Sequence, residues 1–274
     1  MSKRLLALSL VLPALAVIML FFILPLMASV LGAFEVKDGY GFGNFRLSYE
    51  LYSQDTVFTV VIISLSTLLI GLFSIAIAGY LTLGENPRTI LMLRWLYRWP
   101  MFIPFIVVGQ VLRTFLAKNG LMNNLLIAGG LITPADTISF LDWRGIVIAF
   151  VWKQTPFVTL LVAGAMASLD RGTIEAARNL GASRLRILAE IVVPQVATTL
   201  LVGLVLSFVT MMSVLSVPLM INAQSPTMLT TDIAFRINAY GDYGVANALG
   251  LISLLIAAGA AWIYLRRGMR QHAS

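Results

Sequence analysis

Long apolar blocks constrain this chain more than any other feature. Six predominantly apolar stretches, about residues 5–34, 55–83, 91–116, 143–169, 194–221 and 245–264, are each twenty or more residues long. About 20 helical residues, rising about 1.5 Å each, cross a hydrocarbon layer of about 30 Å. The whole chain is 59% hydrophobic and 11% charged, against roughly 45–50% and 25% in soluble domains. Lipid is therefore the solvent, and the expectation is an all-α membrane protein with six transmembrane helices. With no repeat of solenoid length and no low-complexity linker, residues 1–274 read as a single membrane domain.

The first block follows Lys3 and Arg4 and has the look of a signal peptide. It is too long for a cleavable apolar region of about 7–15 residues, so it reads as an uncleaved first helix in which Pro13 and Pro25 are expected to introduce kinks. The segments between the blocks alternate in charge. Lys3 and Arg4, then Arg88, Arg94 and Arg98, then Arg171, Arg178, Arg184 and Arg186, then Arg266, Arg267 and Arg270 fall on one side. Lys37, Arg46, Lys118 and Arg236 fall on the other, and Arg113, Arg144 and Lys153 lie near or within spans. Basic residues concentrate on the cytoplasmic side, which puts both termini in the cytoplasm. Residues 123–132 read as a short outer-face helix and turn.

Several function classes are disfavoured. The net charge of +7 is scattered over loop ends and forms no basic arm for nucleic acid. Without cysteine there is no disulfide framework or thiolate metal site, and the single histidine, His272, reads as a solvated tail residue. No metal site and no catalytic residue is expected. No Gly-x-x-x-x-Gly-Lys-Ser/Thr loop occurs, so no cofactor is assigned to this chain. An ion-coupled secondary transporter is the main alternative, but such carriers commonly hold carboxylates at membrane depth. Here every Asp and Glu lies in a loop or at a span edge.

The most informative segment lies between the fourth and fifth blocks, residues 170–194, reading DRGTIEAARNLGASRLRILAEIVVP. Glu175 to Arg178 are good helix formers, Gly181 suits a left-handed position after a helix, and Ser183 can cap a second helix. The spacing predicts a helix, a sharp turn and another helix. Ala176 and Ala177 leave a low-relief surface that another protein can approach closely, and Glu175 offers it a charge. The same segment can equally lie on lipid headgroups through Arg184, Arg186, Leu185, Ile187 and Leu188.

Glu175-Ala176-Ala177, then Gly181, then Ile191 and Val193-Pro194 resemble the EAA signature of ABC importer permeases, with Val193 where that pattern usually has leucine. Leu12-Pro13, Leu24-Pro25, residues 100–104 and residues 152–157 are similar to the spermidine/putrescine-like branch. The resemblance implies a bacterial inner-membrane permease. Its coupling residues would be Glu175, Ala176, Ala177, Gly181, Ala182 and Pro194, with the EAA loop on the cytoplasmic side between spans 4 and 5. It also implies two ATPase subunits carrying ATP and Mg, a second permease that is identical or homologous, and an external solute-binding protein. The solute is left open among polyamine, ferric iron, phosphonate and other small polar molecules.

Polar residues within spans are the candidates for a translocation path: Gln110, Lys153, Gln154, Thr210, Ser213 and Asn222. Lys153 falls about 13 Å into the fourth span, where a charge facing lipid costs about 2.5–3.5 kcal/mol. It attracts an anionic solute, pairs with a carboxylate of the partner permease, or is a snorkelling or structurally paired lysine. Serine and threonine hydroxyls also bond back to their own helices, and Met211-Met212 reads as packing. Outside the spans, Tyr240 and Tyr243 suit an interfacial belt and Arg236 suits a partner contact.

Overall fold

The computed structural model describes residues 3–37, 39–222 and 224–271, with the backbone alone over 3–10 and 263–271. His272 lies outside the described residues, as do the side chains of Lys3, Arg4, Arg266, Arg267 and Arg270. The first block forms one helical run: α1 (Lys3–Ile18), a π-helical turn (Met19–Ile23) and α2 (Leu24–Phe34). The π turn lies immediately before Pro25 and is closed by the Leu24 N–H donating to the Met19 carbonyl. Proline has no N–H to donate and its ring clashes with the carbonyl four residues back. One extra residue in the turn relieves both problems without breaking the helix.

A two-residue antiparallel hairpin, β1 (Glu35–Val36) and β2 (Gly39–Tyr40), leads into α3 (Gly43–Leu83). With 41 residues, α3 is about 60 Å long and extends well beyond the 55–83 stretch read from hydropathy. Its added turns carry the polar pair Arg46 and Glu50, 2.8 Å apart.

The third block departs from a single rod. It divides into α4 (Pro87–Leu96), a 3-10 turn (Trp99–Phe102) and α5 (Phe105–Leu116), followed by α6 (Leu121–Ala128). Residues Pro87–Phe102 and Phe105–Ala128 meet at 106°. Pro100 and Pro104 flank the break, where missing N–H groups remove the bonds that would carry the helix through.

Next come α7 (Trp143–Ala167), α8 (Arg171–Asn179) and α9 (Arg184–Ile187). A second π turn (Leu188–Val192) connects α9 to α10 (Val193–Ser213). It again sits just before a proline, Pro194, with the Val193 N–H donating to the Leu188 carbonyl. The fifth apolar block therefore begins its helix at Arg184 and not at residue 194. The chain ends with α11 (Ser216–Ile221), α12 (Leu229–Phe235), a π turn (Arg236–Tyr240) and α13 (Tyr243–Gln271). Among the described residues, five helices are long and apolar enough to cross a membrane, or six if the bent pair counts as one span.

At the centre α3 packs along α7, and α10 packs on both. The buried face of α3 carries Asp55, Thr59, Ile62, Ser66, Ile70, Ser74 and Ala78, at intervals of three or four residues. Small and polar residues on this face allow close approach, and the Ser74 hydroxyl donates to the Thr155 carbonyl across the pair at 3.3 Å. The first helical run is peripheral: α2 rests on α13, tied by the Ser29 hydroxyl donating to Asn247 Oδ1 at 2.7 Å.

Candidate functional site

The loop between α7 and α10 folds as a helix, a turn and a second helix. Asp170 caps α8, accepting from the Gly172 N–H at 2.9 Å and from the Thr173 hydroxyl at 3.1 Å. Those bonds, the Gly172 N–H first, hold its carboxyl below the usual carboxylate range. At the other end Gly181 adopts φ +83°. Its N–H donates to the Arg178 carbonyl at 2.9 Å, and the Ala182 N–H to the Ala177 carbonyl at 3.1 Å. This pair of bonds is the Schellman closure. Ser183 then caps α9, accepting from the Arg186 N–H at 3.3 Å. Ile174, Ala177 and Ala182 face the bundle, whereas Glu175, Ala176 and Pro194 are exposed. Leu180 and Leu185, 89% and 76% exposed, project from the tip. An ion pair between Arg184 and Glu85 ties the loop to the connection between α3 and α4.

The six span residues proposed for a path fall into separate settings. Lys153 reaches the break in the third block, donating to the carbonyls of Pro100 at 2.9 Å and Met101 at 2.8 Å. Its ammonium also sits 5.4 Å from the Phe105 ring centroid. Gln154, one residue on, is 6% exposed, and its amide nitrogen has no partner among the described residues. The hydroxyls of Thr210 and Ser213 bond back along α10 to Leu206 and Thr210 at 2.7 and 2.8 Å. Asn222 donates to the Pro226 carbonyl at 3.2 Å, and Gln110 is exposed on α5. Ser66, Thr159 and Ser207, which hydropathy alone did not single out, are buried on α3, α7 and α10 with hydroxyls that have no partner among the described residues.

A second network lies between α3 and the segment before α13. Asp55 is 4% exposed and accepts from the Thr227 N–H at 2.7 Å. One turn along α3, the Thr59 hydroxyl accepts from the Leu229 N–H at 3.0 Å. Arg236, read from sequence as a partner contact, donates to the Tyr52 hydroxyl at 2.6 Å and to Asp242 at 3.3 Å. It also stacks on Tyr52 and Tyr240 at 5.2 and 5.1 Å. The sequence signal for this clamp is the i, i+4 pair Asp55 and Thr59, two polar side chains one turn apart at the head of the second apolar block.

Asp232, 8% exposed with one carboxylate oxygen unpartnered, is pushed up to about 7 by burial first and by the Asp55 carboxylate second, against the pull of Arg236. A carboxylate raised above its unfolded value of about 3.9 contributes stability that is fully present below about pH 4 and lost as pH rises through about 7. We expect the thermal stability of the chain to decline across that window by about 2 kcal/mol, allowing for solvent screening. In Asp232→Asn the decline should be absent, as read from melting temperatures between pH 5 and 8.

Residues 70–270 match the family model described as the binding-protein-dependent transport system inner membrane component. The chain belongs to this family. Among relatives of this permease, the trehalose/maltose transport system permease protein MalF of Thermococcus litoralis is 28% identical, over 94% of this chain and 92% of its own length. The spermidine/putrescine transport system permease protein PotB of Salmonella typhimurium is 26% identical, over 69% of this chain and 68% of its own. In fold, the permease resembles a chain of a bacterial alginate ABC transporter solved with an alginate pentasaccharide-bound periplasmic protein. The TM-score is 0.83 at 21% identity, covering 98% of this chain and 95% of that one. The permease is thus a multi-pass inner-membrane, non-catalytic transport subunit of the ABC importer class. In that class ATP hydrolysis resides on a separate subunit, and the permeases work with a binding protein. Among the described residues of this permease, no three His, Asp or Glu side chains gather as a metal site.

Proposed function

We propose that this permease crosses the membrane six times, the bent α4–α5 pair counting as the third crossing, with both termini cytoplasmic and residues 1–274 forming one transmembrane domain. It pairs with a second permease, identical or homologous, over two ATPase subunits that hold ATP and Mg. A small polar solute, delivered by the external binding protein, passes between the two permeases. Gln110, Gln154, Thr210, Ser213 and Asn222 remain the proposed path residues. We assign Lys153 to holding the α4–α5 break, because its three hydrogens already have two carbonyl acceptors and a ring face.

The observation that carries the coupling assignment is the closed form of α8. Its Schellman turn fixes a short helix at the α7–α10 junction, with Ala176 exposed on its surface and Leu180 projecting at its end. Glu175, Ala176, Ala177, Gly181 and Ala182 form this knob, and Pro194 marks where the chain re-enters the bundle. ATP binding draws the ATPases together, moves the two knobs and switches the helices between inward-facing and outward-facing packings. The nucleotide acts by binding one packing more tightly than the other.

The test is a mild-detergent pull-down from native membranes, with mass spectrometry and an ATPase assay. Recovery of a P-loop ATPase with the wild-type chain, and a several-fold lower yield with Glu175→Ala at unchanged membrane content, is the expected result. An ATPase-free complex that still transports solute would return the chain to the ion-coupled secondary transporters.

A further inference from the structure

An arginine-lined cavity of about 520 Å3 opens beside the coupling loop, where the end of α3, α4, α7 and α8 converge. Its walls include Arg94, Arg98, Arg171 and Arg178, with Glu175 as the single carboxylate. Among the described residues, none of the four guanidinium groups takes part in an ion pair. Arg98 donates only to the Tyr97 hydroxyl of the same wall, at 3.2 Å. An excess of three positive charges thus lines one shared space. Planar guanidinium groups match the oxygens of a phosphate diester in geometry and charge.

Arg94 and Arg98 also line a second, apolar groove of about 620 Å3 along α4, walled by Leu91, Trp95, Trp99 and Phe102. Trp95 and Trp99 are 62% and 54% exposed and lie edge to face with ring centroids 4.9 Å apart. The limb before the 106° bend, residues 87–102, carries both arginines and both tryptophans, as suits the headgroup-level end of the third crossing. Tryptophans concentrate at that depth, and basic pockets between membrane helices on the cytoplasmic side suit anionic headgroups.

We infer that this composite site binds an anionic phospholipid, with its phosphate in the arginine cavity and its acyl chains along the tryptophan groove. Charge complementarity selects the headgroup, and the adjoining apolar groove selects a lipid over a free anion. The two arginines shared by both spaces mark the junction between headgroup and chains. Bound there, the lipid touches α8 through Arg171 and Arg178 and couples the inner leaflet to the knob. The site stands on side chains other than those of the proposed path. Its place in the inner leaflet and its contact with the knob rest on the orientation and coupling role proposed above.

The test uses the purified transporter complex in nanodiscs of phosphatidylcholine, titrated with phosphatidylglycerol carrying brominated chains, with tryptophan quenching as the readout. Trp95→Phe/Trp99→Phe assigns the quenching to the groove. We expect saturable quenching by phosphatidylglycerol, weakened about twenty- to thirtyfold in Arg94→Gln/Arg98→Gln and to a smaller extent in Arg94→Lys/Arg98→Lys, which keeps the charge without the planar fork. It should be retained in Arg46→Gln/Lys118→Gln, which removes the same charge from the opposite end of the bundle.

Equal quenching by brominated phosphatidylcholine, or no change in the glutamine variant, would overturn the proposal. So would displacement by inorganic phosphate, which would make the occupant a free anion. Quenching seen with the isolated chain and lost in the complex would show that a partner subunit covers the groove, and would also overturn it.

Discussion

Lys153→Met is expected to destabilise the folded permease by about 3 kcal/mol, because it removes two charge-assisted hydrogen bonds and leaves the Met101 carbonyl without its donor. The acceptors are the carbonyls of Pro100 and Met101, at the point where the third block turns through 106°. The Pro100 carbonyl also accepts from the Ile103 N–H at 3.3 Å, whereas Pro104 at the head of α5 brings no N–H to the Met101 carbonyl. Backbone oxygens without partners are costly in a lipid environment. A melting temperature about 6–12 °C below wild type in mild detergent is the corresponding shift. Lys153→Arg, which keeps charge and donors, should recover much of it. If Lys153 instead served the solute, the methionine variant would melt normally and show a raised KM for transport. The two roles therefore separate in one pair of measurements.

Gly181→Val is expected to uncouple the transporter while leaving the bundle assembled. At φ +83° a side chain with a Cβ costs about 1–2 kcal/mol, and a β-branched residue fits this region worst. Space does not oppose the change, since no heavy atom lies within 4 Å of a Cβ built at this position; the penalty is conformational. Relieving it means opening the bonds from the Gly181 and Ala182 N–H groups to Arg178 and Ala177, which define the end of α8. A penalty of that size shifts a two-state population about five- to thirtyfold, so solute-stimulated ATPase activity should fall by about tenfold. Membrane content should stay near wild type, because the residue is exposed and outside the packed helices. Stimulated activity equal to wild type would remove Gly181 from the coupling assignment.

Much of this architecture was legible in residue order. Apolar runs long enough to cross lipid announce helices, because an isolated backbone segment in hydrocarbon must satisfy its own N–H and C=O groups. Local chemistry was equally readable in residues 170–183. Asp170 and Ser183 are side chains that cap, and Gly181 is the residue that takes a left-handed φ without strain. These are interactions over four or five residues, so their spacing along the chain is their geometry.

The inward face of each helix was much harder to read. In α3 the exposed Leu68, Leu72 and Phe73 are as apolar as the buried Ile62, Ile63 and Ile70. Hydrophobicity does not separate the faces when the solvent is itself apolar; the small and polar Ser66, Gly71 and Ser74 do. Lys153 shows the same limit. Its depth in the fourth block required some partner, but that partner was the backbone of residues 100–101, brought there by a break whose angle no local rule supplies. Arg236 was drawn inward by Tyr52, 184 residues away.

By itself the sequence determined the membrane class, the helix–turn–helix at residues 170–194 and the absence of a recognisable nucleotide loop, because each depends on composition or on neighbours within a few residues. Tertiary structure alone decided the right-angled third block, the commitment of Lys153, the burial of Asp55 and Asp232, and the meeting of Arg94 and Arg98 with Arg171 and Arg178. Each of these depends on which distant segments share a place. In a bundle whose exterior and interior are equally apolar, that is settled by shape and by the pairing of a few polar groups.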